Sequence, residues 1–156
     1  MKKGEKVINL AKKIEKKLKP LCKKIEIAGS IGRREENPKD IDVVLIPKNR
    51  KNLEYFMKTK LNGKFLQGGK HESTWDIKKI SVELYYTNEE EWGAELLAYS
   101  SKKGAGIGLR IIAKRKGFKL TQHGLFNRKT RKRIAGKTEK EIYAALKRPY
   151  KKPWNR

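Results

Sequence analysis

Asp40-Ile41-Asp42-Val43-Val44-Leu45-Ile46-Pro47 is the stretch on which the reading of this chain turns. Its apolar run is strand-length and partly β-branched, and the closing proline cannot donate to a sheet ladder. Side chains two apart in a strand share a face, so the spacing points Asp40 and Asp42 the same way. Two carboxylates held together beside a buried run repel each other, and a divalent cation between them relieves the repulsion. An isolated Asp-x-Asp is more simply an acidic edge facing water. What surrounds the pair decides between the two.

Downstream, Ile80-Ser81-Val82-Glu83-Leu84-Tyr85-Tyr86 reads as a second strand. Glu83 lies between apolar neighbours, with Ser81 and Tyr85 on its own face. If the two strands are adjacent, three carboxylates converge in a form suited to two magnesium ions and in-line phosphoryl transfer. Upstream, Ala28-Gly29-Ser30-Ile31-Gly32-Arg33-Arg34 predicts a glycine-bearing turn. Gly29 permits close backbone approach, Ser30 offers a hydroxyl and an N–H to phosphate, and the arginines can clamp phosphate oxygens. A phosphate-binding turn just before a carboxylate pair makes the solvated-edge reading a poor fit.

The rest of the chain fits around these strands. Val7, Leu10, Ala11, Ile14 and Leu18 recur at helical spacing, and Pro20 ends that helix. Ile25 and Ile27 predict a short strand. Leu53, Tyr55, Phe56 and Leu61 suit a second helix, and residues 63–79 suit short strands turning at Gly68-Gly69. At Asn88 the period changes. Asn88 with Glu91, and Thr138 with Glu141, have capping-box spacing before helical runs. Residues 109–113 predict a helix ending at Gly117, and residues 118–134 a hairpin with a basic turn at Asn127-Arg128-Lys129-Thr130. Composition shifts near residues 87–92, which divides the chain into domains at 1–88 and 89–156. The first holds most of the acids, and the second is strongly basic.

The chain has 156 residues, with 41 Lys and Arg against 17 Asp and Glu, a formal net charge of +24. Self-repulsion of that size works against compaction, so the charge points to a polyanionic partner, nucleic acid first. The hydrophobic fraction of 37% is too high for a disordered chain. Cys22 alone cannot form an internal disulfide, and no apolar run is long enough to span a bilayer. These features predict an intracellular, cytoplasmic protein working with DNA and not with membranes. His71 and His123 have no Cys or His at ligand spacing, which argues against zinc. Trp75, Trp92 and Trp154 read as packing anchors.

Gly29-Ser30 followed by Asp40-Ile41-Asp42 resembles the signature of the nucleotidyltransferase superfamily that shares the DNA polymerase β palm. The second half narrows this. Gly93-Ala94-Glu95-Leu96-Leu97-Ala98-Tyr99-Ser100-Ser101 is similar to the helix and turn that open the thumb of family X DNA polymerases. The stretches from Leu109 to Leu120, Gln122-His123-Gly124-Leu125-Phe126 and Thr138 to Leu146 resemble the elements that follow it, in the same order. The resemblance implies an α+β fold, a polymerase β-like palm with a small α/β thumb. It implies a monomeric, template-directed DNA polymerase that adds dNTPs to a primer 3′-hydroxyl on gapped or primed duplex DNA, for short-gap repair. The alternative is a nucleotidyltransferase acting on RNA, protein or a small molecule.

The same resemblance implies roles. Asp40, Asp42 and Glu83 would be catalytic and would bind two Mg²⁺ ions, with Mn²⁺ as the substitute. Glu83 would also take the primer hydroxyl proton. Gly29, Ser30 and Arg33 would hold the triphosphate, and Tyr99 and Ser100 would line the nucleotide site. Arg110, Arg128, Lys129, Arg131, Lys132 and Arg133 would bind DNA. Some positions differ from the family pattern. Glu83 stands where Asp is usual, Ser81 where Arg often lies, and Ser100-Ser101 where Thr-Gly is the rule. No aromatic stands at Ala98.

Overall fold

The computed structural model describes residues 1–102 and 104–156. By its contacts the chain separates into two compact units, residues 1–87 and 88–156.

In the first unit, helix α1 (Lys3–Leu18) gives way at Lys19-Pro20 to a short 3₁₀ turn. Strand β1 (Cys22–Ala28), the four-residue helical turn α2 (Gly29–Gly32) and strand β2 (Ile41–Pro47) follow. Helix α3 (Arg50–Thr59), capped by the Asn49 side chain on the Asn52 N–H, leads to β3 (Lys64–Gly68), β4 (Glu72–Ile77) and β5 (Ile80–Tyr86). The sheet runs β1-β2-β5-β4-β3. The β2–β5 pair is parallel and the other pairs are antiparallel.

Alternation along these strands decides what the sheet buries. Val7, Ile14 and Leu18 of α1 and Leu53 and Met57 of α3 share one core with Ile41, Val43, Leu45, Trp75, Val82 and Leu84. Each of those six sheet residues is 0% exposed. A buried core residue of this size contributes roughly 1.5–3 kcal/mol. Trp75 is therefore a packing anchor, as its sequence context suggests. Its Nε1 donates to Ser73 Oγ at 2.8 Å, Ser73 meets the Tyr86 hydroxyl at 2.6 Å, and Tyr86 donates to Glu54 Oε2 at 2.7 Å. Every polar atom in that buried chain has a partner, as burial demands.

The second unit carries α4 (Trp92–Ser100), α5 (Lys103–Arg115), β6 (Phe118–Thr121), β7 (Gly124–Asn127), β8 (Arg133–Ala135) and α6 (Glu139–Ala145). Its core joins Ala94, Leu97, Leu109, Ala113, Leu125, Ile142 and Leu146. Three expectations need correction here. The predicted hairpin is a three-stranded meander, because the chain reverses at Gln122-His123 as well as in the basic turn. The helix begins well before residue 109 and takes in Gly104, Gly106 and Gly108, since its buried residues outweigh the low helix propensity of glycine. Trp154, at 38% exposure, anchors no core. Of the two expected capping boxes, Thr138 caps α6, whereas Asn88 closes a turn ahead of α4, whose N-cap is Glu91. Asn88 Oδ1 accepts the Glu91 N–H at 3.0 Å, and Thr138 Oγ1 accepts the Glu141 N–H at 3.1 Å.

Candidate active site

The strand alternation that buries Val43, Leu45, Val82 and Leu84 leaves Asp42 and Glu83 on the opposite face of the first sheet, away from α1 and α3. Because β2 and β5 are parallel neighbours, these two acids are register partners. Tyr85 shares that face. Its hydroxyl donates to Asp42 Oδ1 at 3.3 Å and makes a short contact with Glu83 Oε2, so it bridges the two carboxylates. Asp40 lies one residue before β2 and is exposed.

Burial pushes the Asp42 carboxyl up to about 6, and the charges of Glu83 and Asp40 add to this. The Tyr85 hydrogen bond and the Arg33 charge oppose it. Three carboxylates therefore act on one another across an open sheet face. The donors are all oxygen, the set that a hard divalent cation such as Mg²⁺ takes. A cation among them removes the repulsion that lifts Asp42, so the residues fit such an ion.

Gly29 meets this site directly. Its φ is +60°, and a Cβ built on it would stand 2.1 Å from Asp42 Oδ2. Only glycine fits so close to the carboxylate in that conformation. The predicted turn is here the single helical turn α2, with Ser30 half-buried on it. Arg33 caps it, and its guanidinium pairs with Glu35 at 2.7 Å. A phosphate at Arg33 has to compete with that partner. Asp76 has a different task. Its Oδ1 accepts the Lys79 N–H at 3.0 Å and holds the β4–β5 turn.

In the second unit, Tyr99 is half-buried on α4 and donates to Gln122 Oε1 at 3.4 Å. Ser100 is 2% exposed. Its hydroxyl bonds the Leu96 carbonyl and accepts from Arg156 Nη1 at 2.8 Å. That side chain faces inward and is committed there, so the expected nucleotide contact is not made ready by the Ser100 hydroxyl. Arg110 is exposed on α5 and lines a small cavity with Ala98, Leu109, Leu120 and Gln122.

The five basic residues of the β7–β8 region do not act as one set. All five are exposed, with Lys129, Arg131 and Lys132 at the turn itself. Arg128 Nε donates to the Phe118 carbonyl at 2.8 Å. Arg133 binds the His123 carbonyl and lies 5.0 Å from the Phe126 ring centroid. Arg128 and Arg133 therefore brace the meander. Spacing alone could not separate the two groups.

Comparison with known proteins agrees with this architecture. The model for the DNA polymerase beta thumb matches residues 95–156. Repair DNA polymerase X of African swine fever virus (isolate Pig/Kenya/KEN-50/1950) is 26% identical over 147 residues, covering 89% of this chain and 84% of the viral protein.

The chain resembles the family X repair DNA polymerases over most of its length.

It has a palm-plus-thumb fold like that of polymerase beta. DNA polymerase IV of Saccharomyces cerevisiae is 37% identical over 75 residues, which is 48% of this chain and 12% of the yeast protein. A crystal structure of Leishmania infantum polymerase beta in a ternary P/T complex superposes with a TM-score of 0.83. It covers 99% of this chain and 76% of the other at 16% identity, and so speaks to the fold.

Two features of this chain escaped the sequence reading as parts of a site. Tyr85 is visible in the period-two alternation, but its bridge between Asp42 and Glu83 depends on strand pairing. Arg156 is the other: its guanidinium, 1% exposed, pairs with Glu139 at 2.6 Å and donates to Ser100. Partners so far apart in sequence leave no local signal. Among the described residues, no helix is long and apolar enough to cross a membrane.

Proposed function

We propose that the chain is a template-directed repair polymerase that fills short gaps in duplex DNA, adding dNTPs to a primer 3′-hydroxyl. The register pairing of Asp42 with Glu83, beside a glycine that touches the Asp42 carboxylate, carries this reading. In the reaction the 3′-oxygen bonds the α-phosphorus, the bond from that phosphorus to the bridging oxygen breaks, and pyrophosphate leaves. Asp40, Asp42 and Glu83 would hold two Mg²⁺ ions, or Mn²⁺ in their place, which activate the hydroxyl and neutralise the leaving charge.

The chain's own groups do the rest. Glu83 accepts the proton of the primer hydroxyl. Tyr85 holds the Asp42 and Glu83 carboxylates together on the sheet face. The Gly29 backbone and Ser30 bond the triphosphate, and Arg33 exchanges Glu35 for phosphate oxygen. Tyr99 flanks the sugar and base, and the Ser100 backbone completes that wall. Arg110, Lys129, Arg131 and Lys132 neutralise duplex phosphates, while Arg128 and Arg133 keep the basic turn in shape. The repair polymerases among the relatives, and the P/T complex of the Leishmania structure, support a DNA substrate.

The test is primer extension on a one-nucleotide gap with each of the four template bases, beside single-stranded DNA and RNA acceptors. Template-dictated incorporation, far faster on the gap, is expected. Equal incorporation on single strands, or incorporation blind to the template, overturns the polymerase reading in favour of a transferase for RNA, protein or a small molecule.

A further inference from the structure

We propose that Glu91, Glu95 and His123 form a second divalent-metal site, selective for zinc, lying wholly within residues 88–156. One carboxylate oxygen from each glutamate and one ring nitrogen of His123 all lie within 4.8 Å of one another. Tetrahedral zinc at about 2.0–2.2 Å from each ligand needs separations of roughly 3.3 Å, so small side-chain rotations close the site. His123 Nδ1 already makes a short contact with Glu91 Oε1. A cation takes the place of the hydrogen in that contact, and the imidazole keeps its proton on Nε2. Water supplies the fourth ligand.

The elements around these groups are built to hold them. Glu91 stands at the N-cap of α4 and Glu95 one turn on, a spacing that puts both on one face. Asn88 Nδ2 donates to Glu91 Oε2 at 2.9 Å, which leaves Oε1 turned to His123. The His123 N–H bonds Thr121 Oγ1 at 3.1 Å, and Arg133 bonds its carbonyl, so the β6–β7 turn is fixed from both sides. Outer partners that orient first ligands in this way are a regular feature of metal sites. Glu95 is 2% exposed, and a divalent cation offsets the charge that the two glutamates bring there.

The donor set separates this site from the one on the sheet. Asp40, Asp42 and Glu83 offer only hard oxygen, which suits magnesium. An imidazole with two carboxylates suits zinc and its neighbours in the transition series. No Cys or His stands at ligand spacing from His123 in the sequence. The partners here are glutamates brought in by the fold. A bound ion would tie the first turn of α4 to the β6–β7 turn.

The experiment equilibrates the full chain with Zn²⁺ in excess Mg²⁺, then measures retained zinc by elemental analysis and unfolding by thermal melt. One equivalent of zinc and a raised Tm are expected. Asp42→Asn should keep that equivalent. His123→Ala and Glu95→Gln should lose it while showing wild-type circular dichroism, and Asn88→Ala should weaken zinc binding by about tenfold. A wild-type chain that retains no zinc in Mg²⁺ overturns the site. So does retention by either folded ligand variant, or loss caused by Asp42→Asn. If His123→Ala fails to fold, Glu95→Gln carries the same decision.

Discussion

The two units assemble their acidic groups in different ways. In residues 1–87 the carboxylates come from a sheet, where alternation and strand pairing set Asp42 beside Glu83 on an open face. In residues 88–156 they come from a helix start and a turn, where Glu91, Glu95 and His123 meet through capping and loop geometry. A sheet holds its groups by the backbone ladder, so its site tolerates like charges at close range. A helix start joined to a turn holds its groups by side-chain bonds, and each bond can be removed singly. The lesson is that sheet-borne chemistry is written in local periodicity, whereas turn-borne chemistry is not.

The largest test of this contrast is Asp42→Asn. It should lower incorporation by at least about a thousandfold, equivalent to about 4 kcal/mol of transition-state stabilisation, and leave duplex affinity nearly unchanged. Primer extension beside a binding titration checks it. Near-normal turnover would remove the sheet face from the mechanism.

Glycines give the next contrast. A Cβ at Gly29 would strike the Asp42 carboxylate in a left-handed conformation, and one at Gly93 would stand 2.2 Å from the Thr138 carbonyl carbon. Gly29→Ala and Gly93→Ala should each cost about 2–4 kcal/mol, and Gly29→Ala should depress incorporation as well. Gly106 lies within α5, where a Cβ meets nothing within 4 Å. Gly106→Ala should therefore stabilise the chain by about 0.5–1 kcal/mol. Urea unfolding of the three variants measures the ranking, and equal effects would deny that the close approaches matter.

Acid sensitivity should differ in sign between the units. Asp42 is pushed up to about 6 by burial and by Glu83. A raised carboxyl favours the fold at low pH and loses that contribution as pH rises through 6. In metal-free solution Asp42→Asn should thus be more stable than wild type at pH 7.5, with the advantage shrinking toward pH 4. Glu141 is held below its ordinary range by the N–H groups of Gly136, Lys137 and Thr138. Its contribution is present above about pH 4.5 and fades as pH falls below it, so Glu141→Gln should flatten the acid limb of the stability curve. Thermal melts across that pH range test both signs.

The smallest expected effect is none at all. Burial pushes the Cys22 thiol up to about 11, so the folded chain should resist thiol reagents at pH 8. Labelling at the rate of a free thiol would mean that the start of β1 opens readily.

Much of the first unit was legible in the residues. The proline after Ile46, the alternation through Glu83 and the helical spacing from Val7 to Leu18 each act over a few residues, and the elements formed where those signals lie. The second unit was less so. The spacing signalled a helix only from Leu109, because propensity is local while the burial of Leu109 and Ala113 that sustains the longer α5 is not. The turn at Gln122-His123 was read through as strand for the same reason.

The sequence by itself determined which residue types stand on which strand faces, that the charge points toward a polyanion, and which glycine, serine and carboxylates lie in family order. The first two follow from backbone periodicity and from counting charges, and the third from the resemblance to a known family. The tertiary structure alone decided that β2 and β5 are parallel neighbours, that Tyr85 bridges their acids, and that Ser100 turns inward to Arg156. It alone showed that Arg128 and Arg133, exposed like the rest of the turn, bond backbone carbonyls of the meander. Each of those depends on contacts between residues distant in the chain, which no local pattern encodes.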